Sequence, residues 1–258
     1  MAIGAVILAE TICRFSSGLP PGGKGVRFLH RVHAGPSGEP MRIAIYDLDR
    51  TLTRRATFTP FLLYAAWHRA PWRLALSPVW VAAMAGYRMG LCSRTALKRF
   101  GMRLMLGDTA VAELERMGAR FARRRVERGG MAPGALRSLE TERKAGAKIV
   151  IATAAFAFYA KGFAKELGIE HLVGTDWDGQ RIPGGNCYGR VKRERFEAWL
   201  ADSAADDVGA DIAFYSDSLA DGPLFARATE PVLVVSSDRE KRRARGRGWK
   251  GEIVNWAR

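Results

Sequence analysis

Ile43-Ala44-Ile45-Tyr46-Asp47-Leu48-Asp49-Arg50-Thr51-Leu52-Thr53 is the stretch on which the fold turns. Four apolar residues, β-branched and aromatic among them, run without a polar break into two carboxylates. That is the pattern of a parallel strand buried on both faces and ending in acid. Open α/β sheets place their chemistry at this C-terminal edge. Side chains two apart on a strand share a face, so Asp47 and Asp49 start on the same side of the sheet and call for a cation. On these residues alone an acidic turn is the alternative, because Asp is at home in turns.

The same pattern recurs downstream. Lys148-Ile149-Val150-Ile151-Ala152-Thr153 is a second buried strand, and it ends on a hydroxyl followed by the small residues Ala154 and Ala155 and then a helix through Leu167. Free backbone N–H groups at such a turn suit a phosphate oxygen, although Ser and Thr also sit there as plain helix caps. His171 to Thr175 forms a third short strand. A polar, Gly-rich excursion from Asp176 to Gly189 then delivers Val191-Lys192-Arg193 to the start of a helix ending near Leu200. On charge alone Lys192, Arg193 and Arg195 are equal candidates for an anion contact. Asp211-Ile212-Ala213-Phe214-Tyr215-Ser216-Asp217 runs again from strand into acid, with Asp221 four residues on, and Val232 to Val235 adds a further strand.

Between the first two strands the chain reads as helical. Thr57 to Ala66 is a helix that tolerates Pro60 in its first turn. Leu74 to Tyr87 then carries no charge over fourteen residues, too short a run to span a bilayer. Trp67, Trp72, Trp80, Tyr64 and Tyr87 lie in or beside it, with Arg69, Arg73 and Arg88 at its borders. Rings and arginines around an apolar segment suit a membrane interface rich in anionic lipid, and equally a self-packed helical cap. The Arg123-Arg124-Arg125 run lacks interleaved aromatics and reads as a solvated helix face, so no nucleic-acid partner is expected. Ala135 to Ala145 is an amphipathic helix closed by Gly146.

Composition narrows the class. The 258 residues carry 41 Lys and Arg against 26 Asp and Glu, a net charge of +15, which favours an anionic partner. Cys13, Cys92 and Cys187 are too few and too scattered for a disulfide framework, so a reducing compartment is the simpler reading. Residues 1–40 begin apolar without a basic leader and continue rich in Gly, Pro and Ser. They read as a disordered or wrongly assigned extension ahead of Met41, the alternative being a flexible basic arm.

Asp47-Leu48-Asp49-Arg50-Thr51, Thr153, Lys192 and Ser216-Asp217-Ser218-Leu219-Ala220-Asp221 stand in the order of the four motifs of the haloacid dehalogenase-like phosphohydrolases, which the chain from Met41 onward resembles. The long insertion after the first motif resembles the helical cap of the phosphoserine-phosphatase-like subclass IB. The Phe61-Leu62-Leu63-Tyr64 helix, the apolar run and the Asn186-Cys187-Tyr188-Gly189 turn are similar in layout to the phosphatidylglycerophosphatase C group.

The resemblance implies an α/β fold, a doubly wound Rossmann-like parallel sheet with an all-helical cap inserted after the first strand. Residues 41–54 and 146–258 would form the core, and 55–145 the cap. It also implies a Mg2+-dependent phosphomonoesterase in which Asp47 is the nucleophile and Asp49 the general acid and base. Thr51, Thr153, Ala154 and Lys192 would hold the substrate, and Asp47, Asp49, Asp217 and Asp221 the metal. Two residues depart from the family pattern: Arg50, where many relatives have a small residue such as Gly, and Ser216, where Gly is usual. Arg54 and Arg55 lie where an acid would hold a substrate amine, and favour an anionic substrate such as a lipid phosphate over phosphoserine. A soluble small-metabolite phosphatase is the alternative within the class; a basic membrane- or RNA-binding protein with a degenerate site is the alternative outside it. The expected location is cytoplasmic, peripheral on the inner membrane's cytoplasmic face.

Overall fold

The computed structural model describes residues 41–203 and 210–257. The extension expected over 1–40 lies outside them. A six-stranded parallel sheet runs in the order β3-β2-β1-β4-β5-β6, with β1 Arg42–Tyr46, β2 Lys148–Phe156, β3 His171–Thr175, β4 Asp211–Ser216, β5 Glu230–Val235 and β6 Glu252–Asn255. This is the doubly wound order, in which the direction of winding reverses between β1 and β4 and opens a crevice at their C-terminal ends. Ile45 pairs with Phe214 and Tyr46 with Tyr215 in register, so Asp47 leaves its strand beside Ser216, and Asp217 follows one residue later at the same crevice.

The apolar runs are buried on both faces, as their composition requires. Ile43 and Ile45 pack on one side with Val150, Phe196, Phe214 and Leu233. Ala44 and Tyr46 face the other, where the Tyr46 and Tyr215 rings stack at 4.6 Å and Trp256 lies 5.4 Å from Tyr215. Residues after Val235 supply the edge strand β6, and Trp256 closes the aromatic stack.

Between β1 and β2 the chain builds α1 Phe58–Arg69, a 3-10 turn Pro71–Leu76, α2 Ser77–Arg88, α3 Arg94–Leu106, α4 Val111–Glu127 and α5 Pro133–Lys144. The charge-free run is thus two elements, divided where Pro78 opens the first turn of α2. A bridge between Thr53 and Met131 closes the base of the insertion. Beyond it α5, which the expected cap boundary included, lies on the sheet: Ser138 Oγ is 2.8 Å from the Tyr46 hydroxyl, and Glu142 accepts from Arg42 and Tyr215. α4 crosses α6, Ala157–Glu166, at small residues. A Cβ on Gly118 would stand 2.7 Å from Tyr159 Cα, so the approach requires glycine. The remaining helices are α7 Arg190–Asp202, the single turn α8 Gly222–Phe225 and α9 Asp238–Gly246.

Candidate active site

Asp47 leaves β1 with its backbone N–H donating to Tyr215 O, which keeps it in line with the sheet. The chain then coils through Leu48–Leu52 in one wide turn. This needs a left-handed residue, and Arg50 adopts φ 62. The backbone requirement explains why Gly serves at this position elsewhere, and it costs an L-residue on the order of 1 kcal/mol. Arg50 is held there with its N–H donating to Thr53 Oγ1 and its guanidinium 3.8 Å from Asp217 Oδ2.

The turn aims Asp49 beside Asp47. Asp49 Oδ1 accepts from both the backbone N–H and the hydroxyl of Thr57, at 2.8 and 2.6 Å. Burial raises its pKa, against the pull of those two hydrogen bonds. Asp47 is 6% exposed and is raised to about 6 by burial, with Lys192 opposing and the Asp221 and Asp49 charges adding. Asp217 is raised to about 7, again by burial first and then by Asp47.

Lys192 answers these acids from the first turn of α7. Its ammonium is 1% exposed and donates to Asp47 Oδ1 at 3.0 Å and to Asp221 Oδ2 at 2.6 Å. Burial works against its charge, but Asp47 and Asp221 more than offset this and hold it protonated. The three cations left equal by sequence therefore separate. Arg193 pairs with Glu197 on the helix surface, and Arg195 ties the Gly-rich excursion through Pro183 O, Gly185 O and Asp176.

Thr153, within the buried length of β2, accepts from Ala155 N–H and lines the cavity together with Ala154. Ser216, the second departure from Gly, donates its hydroxyl to Asp221 Oδ2 and fixes that carboxylate. Thr51 is a correction to the expected substrate contacts. It is fully buried, its hydroxyl accepts from Asp217 N–H, and it is not among the cavity-lining residues. It positions the Asp217 loop instead.

These groups floor a cavity of about 900 Å³. Arg50, Arg54, Arg55, Arg94, Arg243 and Arg247 stand around it. Arg94 stacks 3.9 Å over the Tyr188 ring and donates to the Tyr87 hydroxyl. Sequence reading missed Lys98, which descends from α3 and is 6% exposed. It donates to Ala154 O and, at 2.8 Å, to Asn186 Oδ1, and lies 4.3 Å from the Phe156 ring. Burial lowers its pKa to about 7; the Asp49 charge works the other way. Its signal was present: a lysine, four residues after Arg94, on the face of α3 that also carries the buried Leu97, Gly101, Met102 and Met105.

Asp221 Oδ1 is buried without a hydrogen-bond partner among the described residues. With Asp47 and Asp217, it leaves more negative charge than Lys192 alone balances, and the all-oxygen donor set fits a hard divalent cation. The expected set of four ligands narrows. Among the described residues no three His, Cys, Asp or Glu side chains gather on one point; Asp49 Oδ1 accepts from Thr57, and Asp221 Oδ2 accepts from Lys192 and Ser216. Asp47, Asp217 and the open Asp221 Oδ1 remain as carboxylate donors.

The profile of haloacid dehalogenase-like hydrolases matches residues 44–226, which contain Asp47, Asp49, Lys98, Thr153, Lys192, Asp217 and Asp221. The chain belongs to this family. Protein CicA of Caulobacter vibrioides is 31% identical over 200 residues, covering 74% of this chain and 85% of its own. A protein of unknown function from Bordetella pertussis Tohama I has the same fold with TM-score 0.71 and 27% identity, over 84% of this chain and 99% of that one. A phosphoserine phosphohydrolase-like protein from Francisella tularensis matches with TM-score 0.55 at 17% identity, over 84% and 96% of the two chains. A phospho-aspartyl intermediate analogue of phosphoserine phosphatase matches with TM-score 0.52 at 14% identity, over 84% and 94%. This hydrolase therefore has the fold of the phosphoserine phosphatases. No helix among its described residues is long and apolar enough to cross a membrane.

Proposed function

We propose that the chain hydrolyses phosphoric monoesters through an aspartyl-phosphate on Asp47, with a lipid phosphate as substrate. The observation that carries this reading is the Asp47 carboxylate, buried at the crevice of the sheet and hydrogen-bonded to Lys192, on the floor of an arginine-walled cavity.

A carboxylate attacks phosphorus, the ester oxygen leaves, and the phosphoryl group rests on Asp47 until water displaces it. Asp49, raised by burial and oriented by Thr57, is placed to give the leaving oxygen its proton and then to take one from water. Lys192 and the Thr153–Ala155 turn meet the phosphoryl oxygens, where positioning and charge supply most of the rate. Mg2+ would be held by Asp47, Asp217 and the Asp49 carbonyl, with Asp221 in support; when bound it neutralises the acids and screens the incoming phosphate.

The cavity walls support the substrate class. Arg54 and Arg55 stand where a substrate amine would need an acid, and Phe58, Leu97, Tyr87 and Tyr188 offer apolar and aromatic surface beside them. The test is phosphate release from a panel containing p-nitrophenyl phosphate, phosphoserine and a phosphatidylglycerol-type lipid phosphate in micelles, with and without Mg2+. The lipid phosphate should show the highest kcat/KM. Preference for phosphoserine would replace the lipid by a small metabolite, and no Mg2+-dependent release from any member would sink the reading.

A further inference from the structure

The insertion carries an apolar face that no described residue covers. Among the described residues six of the seven large exposed hydrophobics lie between Leu63 and Leu91, so exposure of this kind is concentrated there. Along the 3-10 turn and α2, Trp72, Ala75, Pro78, Val81, Ala85 and Met89 face solvent at a spacing of three or four, with Pro71, Ala82 and Arg88 exposed beside them. They form one stripe. Trp72 is 65% exposed, Val81 58% and Met89 68%, whereas Trp80 on the opposite side of the same helix is 2% exposed and donates its indole N–H to Thr59. The helix therefore has a satisfied inner face and an outer face with the composition of a core.

Charge decides what covers it. Residues 50–107 contain ten Lys and Arg and no Asp or Glu. An apolar stripe with an aromatic at one end and an arginine, Arg88, at the other, set in a segment of a single sign, is complementary to a bilayer surface bearing anionic headgroups. The stripe also leads to the site. Tyr87 from the end of α2 and Arg94, hydrogen-bonded to it, line the cavity.

We propose that the 3-10 turn and α2 form a docking face for an anionic phospholipid bilayer, which sets the cavity mouth at the headgroup layer. The proposal rests on the lipid-phosphate reading for its purpose but not for its test.

The test is co-sedimentation of the full chain with vesicles of phosphatidylcholine alone or with phosphatidylglycerol, for wild type and for Val81→Asp/Met89→Asp. Both positions are exposed and outside the cavity, and p-nitrophenyl phosphate hydrolysis serves as a control for folding. Wild type should pellet with the anionic vesicles, less so as salt rises, and stay in solution with phosphatidylcholine alone. The double variant should lose binding by about tenfold or more while keeping its p-nitrophenyl phosphate rate. Wild type left in solution with anionic vesicles at low salt would overturn the proposal, and so would a double variant that binds equally. A wild-type dimer in light scattering that the substitutions split would also overturn it, since a second copy would then be the occupant. Vesicle binding by a wild type without phosphatase activity would keep the docking face and remove the catalytic reading.

Discussion

Lys192 Nζ lies 3.0 Å from Asp47 Oδ1, with both side chains closed off from solvent, and the pair joins the N-terminal turn of one helix to the end of the central strand. A carboxylate held by a single buried ammonium on one oxygen keeps its other oxygen for attack. Lys192→Met should therefore remove both the phosphoryl contact and the partner of two buried acids. kcat/KM should fall by about a hundredfold or more. Stability should fall by about 3 kcal/mol in urea unfolding, because Asp47 and Asp221 are left uncompensated. Wild-type kinetics would remove Lys192 from the site.

Metal-free protein should become less stable, relative to Asp217→Asn, as pH rises. The folded pKa values of Asp47 and Asp217 lie at about 6 and about 7, above the ordinary 3.8. The folded state thus holds these protons more tightly, and that stabilisation is fully present below 3.8 and lost as pH rises through 6 and 7. The Tm advantage of Asp217→Asn over wild type should grow between pH 4 and pH 8. Millimolar Mg2+ should narrow it by binding the wild type. A constant difference would contradict the assignment.

Lys98→Met should lower kcat by about tenfold, since Ala154 O and Asn186 lose the cation that ties the insertion to the Thr153 turn. With its folded pKa lowered to about 7 from 10.5, Lys98 is penalised below pH 7, and the penalty is relieved as pH rises toward 10.5. The Tm of the Met variant relative to wild type should therefore be highest below pH 7 and decline above it.

At the opposite edge of the sheet, Arg42 bonds Glu142 through two nitrogens and also reaches Asp211 and Glu230. Glu142→Ala breaks this cluster where Glu142 is 5% exposed. It should cost about 3 kcal/mol in urea unfolding and leave kcat/KM within about twofold of wild type, since catalysis sits at the other end of the strands.

Much of this was legible in the sequence because strand ends announce themselves. The runs toward Asp47, Thr153 and Asp217 are largely apolar, and the sheet brings those strand ends together, so order along the chain was enough to gather these residues at one edge. Thr51 was misread because adjacency to Asp49 does not show which way a coiled turn points a side chain, and here it points to the Asp217 N–H. Lys98 and Thr57 were missed because their partners are 56 and 8 residues away, and only packing of the insertion brings them to the site. β6 was hidden by a basic helix before it and by its own short length, four residues on a sheet edge.

The most direct test of the account is an acid quench during turnover of p-nitrophenyl phosphate with Mg2+, followed by mass spectrometry of the digested protein. The account predicts one phosphoryl group on the peptide containing Asp47, absent from Asp47→Asn, whose steady-state rate should fall by about a thousandfold or more. A phosphoryl group on any other residue, or an Asp47→Asn protein that turns over like wild type, would contradict it.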